Sequence, residues 1–182
     1  MRRKSKEEVE EQDKQCAAFH EAGHAVALMA VGGVYAVVHI TKNENPAWYE
    51  DRKLAWTGQA TGSTVGFSEI ENAVYAVAGD LAENLLYELC YPGDAYLKLW
   101  SEEEGEDAAE EWYESWEFHA SPSDLRAAGD APPEIVFGRA LGLLKERWAQ
   151  VEEVARELIE KGIWSWPRPS SEEVGTFESG ER

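Results

Sequence analysis

The spacing of hydrophobic and polar residues in this chain predicts helices more often than strands. From Glu7 to about Ala30 the polarity changes along one continuous pattern. The first half is charged, and the second runs through Cys16, Ala17, Phe19, Ala22, Ala25, Val26, Leu28 and Met29. It reads as a single helix, solvated where it begins and buried where it ends, closed by Gly32-Gly33. Val34 to Thr41 is β-branched and aromatic and predicts a strand. Asn43-Glu44-Asn45-Pro46 is a turn or loop. A second strand is expected from Leu54 to Thr61, giving a hairpin with a long connection.

Ser68 to Cys90 predicts the second major helix. Ser68 suits an N-cap, and Glu71 three residues later completes a capping box. Val74, Val77, Ala78, Leu81, Leu85 and Leu89 recur at helical spacing and require a core to face. Tyr91-Pro92-Gly93 ends the pattern. Asp94 to His119 is expected to be helical in part and is very acidic, with Trp100, Trp112, Trp116 and Phe118 set among the charges. It reads as a solvated helical pair anchored by its aromatics. Ser121-Pro122-Ser123-Asp124 marks a further helix start. Pro132-Pro133 opens the last helix, whose stripe of Phe137, Leu141, Leu144, Trp148, Val151, Ala155 and Leu158 runs to Gly162. The remainder, to Arg182, is expected to be polar and loosely held. The class is mainly α with a small β-hairpin or sheet, that is, α+β.

A chain of 182 residues can bury one domain-sized core. Its formal net charge of −19 argues against nucleic acid or an anionic membrane as partner, though not against a basic or unfolded polypeptide. Met1 to Lys6 is basic, but no apolar run follows that would make it a signal peptide. The uncharged stretch from Ala25 is too short to span a bilayer. Two cysteines, Cys16 and Cys90, cannot form a disulfide framework. A cytoplasmic, soluble protein is expected. There is no phosphate-binding G-x-x-x-x-G-K-[ST] loop to support ATP hydrolysis.

Chemistry concentrates at His20-Glu21-Ala22-Gly23-His24. Histidines four apart on a helix point to one side, where a small cation can touch both. The glutamate between them stands beside any water on that cation. This is the H-E-x-x-H pattern, with two metal ligands and a general base. Gly23 costs about 1 kcal/mol against alanine inside a helix, which implies that another element packs closely there. The blander alternative has both histidines bonded to backbone carbonyls and Glu21 in a salt bridge, since polar groups on an apolar helix need partners. Cys16, one turn before His20, reads as a small buried hydrophobe, and His39 as an ordinary strand residue. A catalytic zinc takes three protein ligands. His119, Asp80, Glu83 and Asp124 are candidates for the third, and spacing alone does not choose among them.

Ala18-Phe19-His20-Glu21-Ala22-Gly23-His24-Ala25-Val26 resembles the metal helix of the M41 peptidases, the protease domain of FtsH-type enzymes. Val38-His39-Ile40-Thr41, Val77-Ala78-Gly79-Asp80-Leu81-Ala82-Glu83, and Leu143 to Leu158 with Ser171-Glu172-Glu173-Val174 resemble that family's following strand, second helix and closing helix, in order. The resemblance implies a zincin-like helical domain over residues 15–174. It would be preceded by a charged helix extension (1–14), interrupted by an acidic insertion at about 92–118 and followed by a flexible tail (175–182). It further implies that Asp124, in Ser121 to Ala128, is the third ligand and that Glu83 is structural or orients a histidine. The family's membrane segments and ATPase module have no counterpart here, and the insertion would lid the cleft. The expectation is an ATP-independent zinc metalloendopeptidase that cleaves unfolded or exposed polypeptide segments with a metal-activated water. Zn2+ would sit on His20, His24 and Asp124, with Glu21 as base. The alternatives are an adaptor built on a metalloprotease fold and a metal hydrolase of small amides.

Overall fold

The computed structural model describes residues 5–44, 48–49, 52–53, 55–92, 99–100 and 107–167. Helix α1 spans Lys6–Ala30. It starts at a capping box, in which the Ser5 hydroxyl accepts the Glu8 N–H and the Glu8 carboxylate accepts the Ser5 N–H. Its burial is continuous from Glu21 to Leu28, as its change in polarity requires. Strands β1 (Ala36–Lys42), β2 (Trp48–Tyr49), β3 (Arg52–Lys53) and β4 (Trp56–Gly62) follow. After them come α2 (Glu69–Cys90), α3 (Asp107–His119), α4 (Pro122–Ala128), α5 (Pro133–Glu146), α6 (Trp148–Lys161) and β5 (Ile163–Trp166). The protein is mainly helical with a small antiparallel sheet, an α+β architecture.

The three-stranded sheet has the order β4-β1-β5, and both neighbours of β1 run antiparallel to it. Ile40 stands opposite Gly58, and Val38 lies between Ala60 and Trp164. Ala36, Val38 and Ile40 turn one face into the core, while Val37 on the other is exposed. α1 packs against α2, α6 and the sheet, and α2 packs in turn against α4 and α5. Val26, Val77, Leu81 and Leu85 are fully buried at the heart of this arrangement, each worth about 1.5–3 kcal/mol of apolar transfer. α1 and α2 touch at Gly23, where a Cβ would overlap the Ala78 carbonyl oxygen and approach Ala82 Cβ to 2.7 Å. The close neighbour implied by that glycine is therefore α2.

Three expectations need correction. The last helix is two helices that break at Arg147, which leaves the helical region (φ −108°, ψ 19°). Its single apolar stripe serves two partners: α5 packs on α2 and α3, and α6 packs on α1 and β5. The chain after Gly162 is not loose at first. Gly162 takes a positive φ of 75°, its carbonyl accepts the Ile40 N–H at 2.9 Å, and β5 then pairs with β1. Among the insertion's aromatics, Trp112 and Trp116 are buried but Phe118 is exposed. The proposed strand start at Leu54, the acidic run 102–106, the closing turn at 171–174 and the tail 175–182 lie outside the described residues. No helix among the described residues is long and apolar enough to cross a membrane.

Candidate metal centre

α1 presents His20, Glu21 and His24 to a face of α2 made by Tyr75, Gly79, Asp80 and Glu83, which follow at i, i+4, i+5 and i+8 and so lie on one side of that helix. β4 crosses above Glu21, and α4 brings Asp124.

His24 is 5% exposed, and its Nδ1 lies 2.8 Å from the Tyr75 carbonyl oxygen. A carbonyl carries no proton, so Nδ1–H donates, and the lone pair of the neutral ring sits on Nε2. Burial pushes this histidine down to about 4, and the neighbouring His20 adds to the effect. It is therefore neutral near pH 7. His20 is turned the same way, with its Nδ1 3.8 Å from Glu83 Oε2 and 3.9 Å from Asp80 Oδ1. Burial pulls His20 down, but the Glu83 bond and the Asp80 and Glu21 charges outweigh it and raise it to about 9.

With both Nδ1 atoms facing acceptors, the two Nε2 atoms face each other at 3.2 Å. Two ligands on a tetrahedral zinc with Zn–N bonds of about 2.0–2.1 Å stand about 3.3 Å apart. The pair is thus spaced around a common place as two ligands of one small cation would be. Gly79 keeps that place open: a Cβ there would sit 2.7 Å from His20 Nε2 and closer still to His24 Nε2.

Glu21 is 6% exposed, and its Oε2 is buried without a hydrogen-bond partner among the described residues. Burial raises it to about 7; His20 opposes this, and Asp124 and Asp80 add to it. β4 covers it at Gly58, where any Cβ would overlap the Glu21 side chain, with Oε1 at 2.6 Å. An orphaned buried acceptor costs about 1–3 kcal/mol. Such a group in a native fold requires an explanation, and an absent ion or water supplies one. The bland alternative is thus only half realised. One histidine nitrogen does bond a carbonyl, but Glu21 makes no salt bridge among the described residues.

Asp124 follows the α4 N-cap. Ser121 Oγ donates to its Oδ2 at 2.6 Å and accepts its N–H at 3.2 Å. Its charge pushes upward on Glu21, His24, Tyr75 and Asp80, but the structure does not bring it into the group of mutually close donors found among the described residues. The donors that all lie within 4.8 Å of one another form a different set: His20, Asp80 and Glu83. Those two acids face His20 Nδ1, away from the Nε2 pair. His119 is exposed, with its Nδ1–H donating to the Ser115 carbonyl at 2.8 Å. Cys16 is half-buried, and His39 sits mid-strand opposite Gln59 and Ile163.

Sequence reasoning missed Tyr75, Gly58 and the role of Gly79. Tyr75 serves through its carbonyl, which no residue type signals. Its ring lies 5.2 Å from that of His24, and its hydroxyl reaches toward the Ala60 carbonyl of β4 at 3.5 Å. Gly79 carried the same signal as Gly23, a glycine inside an otherwise apolar helix. No protein-family model matches the chain, and no curated protein matches it.

Proposed function

We propose that this protein is a zinc-dependent endopeptidase of the M41-like, zincin type, acting without ATP on unfolded or exposed polypeptide segments. The observation that carries this reading is the pair of Nε2 atoms 3.2 Å apart, each with its Nδ1 facing an acceptor, beside a buried carboxylate oxygen with no partner among the described residues. His20 and His24 would hold the cation, with Asp124 as third ligand. A zinc ion there supplies Lewis acidity, which lowers the pKa of a water and polarises a carbonyl.

The chain's own groups do the rest. Glu21, ionised, takes a proton from the attacking water and delivers it to the leaving amine. Covered by β4 at Gly58, it works where bulk water is excluded and charge interactions are strong. β4 is an edge strand among the described residues. An extended substrate adding to it would be held by main-chain bonds that tolerate varied sequences, and the acidic surface favours basic segments. A pure binding module has no use for an unpaired buried base.

The test is cleavage of casein with zinc and no ATP, by wild type and by Glu21→Gln. Cleavage by wild type alone supports the proposal. Zinc binding by both without cleavage by either would sink it.

A further inference from the structure

Two tryptophans of the acidic segment reach α2. Trp100 donates its backbone N–H to Glu88 Oε2 at 3.0 Å and its indole N–H to the Leu85 carbonyl at 3.1 Å. Trp116, on α3, goes further toward the site. It is 4% exposed, and its Nε1–H donates to Asp80 Oδ2 at 3.0 Å. The other oxygen of the same carboxylate, Oδ1, is the one that faces His20 Nδ1 at 3.9 Å. An indole N–H can only donate, so it decides which Asp80 oxygen is spent on α3 and which is left for the imidazole. Trp116 itself is fixed. Its ring stacks with Trp112 at 6.2 Å and 15°, lies 5.1 Å from Tyr113, and Trp112 packs at 5.4 Å on Phe137 of α5.

We propose that Trp116 is a positioning residue of the metal centre: through Asp80 it orients the His20 ring, so that seating of α3 and tight metal binding are coupled. This rests on the reading of His20 and His24 as metal ligands. It gives the acidic insertion a role beyond covering a cleft. Partners that orient a ligating imidazole typically contribute about 10–100-fold to metal affinity, and Trp116 acts one contact further out, at the lower end of that range.

The test measures zinc affinity of the full chain by competition with a chromophoric chelator, with circular dichroism confirming that each variant is folded. Trp116→Phe keeps most of the ring volume and removes the N–H; it should weaken zinc about tenfold. Asp80→Ala should weaken it at least as much, and the double variant should be no worse than Asp80→Ala, because the indole acts only through that carboxylate. Trp100→Phe, which removes the other indole N–H that reaches α2 but not one that touches Asp80, should bind zinc as wild type does. A second measurement needs no variant: in 15N-labelled wild type, the Trp116 indole N–H resonance should shift when zinc is added. Unchanged affinity in Trp116→Phe, losses that multiply in the double variant, or an unmoved indole resonance would each overturn the inference and leave the metal centre standing. Failure of wild type to bind zinc would overturn both.

Discussion

Replacing Glu21 by glutamine should change how the stability of the metal-free protein depends on pH. The glutamate is almost wholly buried and its Oε2 has no partner among the described residues, so burial holds it at about 7 against an ordinary value of 4.5. Because the folded value lies above the ordinary one, the advantage of the protonated carboxyl is complete below pH 4.5 and is lost as pH rises through about 7. At about 1.4 kcal/mol per pH unit, wild type surrenders roughly 3 kcal/mol across that window. Glutamine does not titrate. Its amide adds a buried polar group of its own, but that offset is constant with pH, and the histidines titrate in both chains. The assay is thermal or urea unfolding of the two metal-free proteins from about pH 4 to about pH 8. Wild type should lose ground on the variant by about 6–12 °C in Tm over the range. A difference that stays flat with pH would show that Glu21 is neither desolvated nor unpaired, and the case for a poised base would fail.

Other outcomes follow from the same geometry. Zinc would have to displace a proton from His20, which holds it up to about 9. Zinc affinity should therefore rise about tenfold per pH unit through neutrality and level off near that value, read by calorimetry in buffers of different ionisation enthalpy. Gly79→Ala puts a methyl group against both Nε2 atoms and should abolish zinc binding. Gly138→Ala on α5, whose Cβ meets nothing within 4 Å, should stabilise by about 0.5–1 kcal/mol in urea melts and leave zinc affinity alone. Asp124→Ala should remove cleavage and cost more zinc affinity than Glu83→Gln, which alters only a group facing the His20 Nδ1. The reverse ranking, in chelator competition, would move the third ligand to α2.

Much of the architecture could be read from residues alone, for local reasons. α1 and α2 declare themselves through period and caps, and Ser68 with Glu71 forms the expected box. Ser121 caps α4 as its position suggests. Gly23 announced a close neighbour. The break at Arg147 left no such mark, because Lys145, Glu146 and Arg147 are all good helix formers; beyond it, α5 packs mainly on α2 and α6 mainly on α1. β5 is four residues long and exists because β1 has an edge to offer. At the site, the H-E-x-x-H pattern could be recognised because it is contained in one helix. Of the groups around it, Asp80 and Glu83 stood among the candidate acids of the sequence, whereas the Tyr75 carbonyl and Trp116 did not, because a backbone acceptor has no residue type and Trp116 comes from a distant helix.

The division of labour between elements has a consequence for engineering. Among the described residues, both histidines and the groups facing their Nδ1 atoms belong to one helical pair, α1 and α2, whereas the cover over the base comes from β4 and the remaining acid from α4. On the proposed reading, two ligands and the base come from that pair, while the third ligand and the cover over the base come from outside it. A transplanted α1–α2 pair that retains the small residues at 23 and 79 would then carry two of the three proposed ligands, and tight zinc binding and turnover would each need the third carboxylate and a covering strand built back around it.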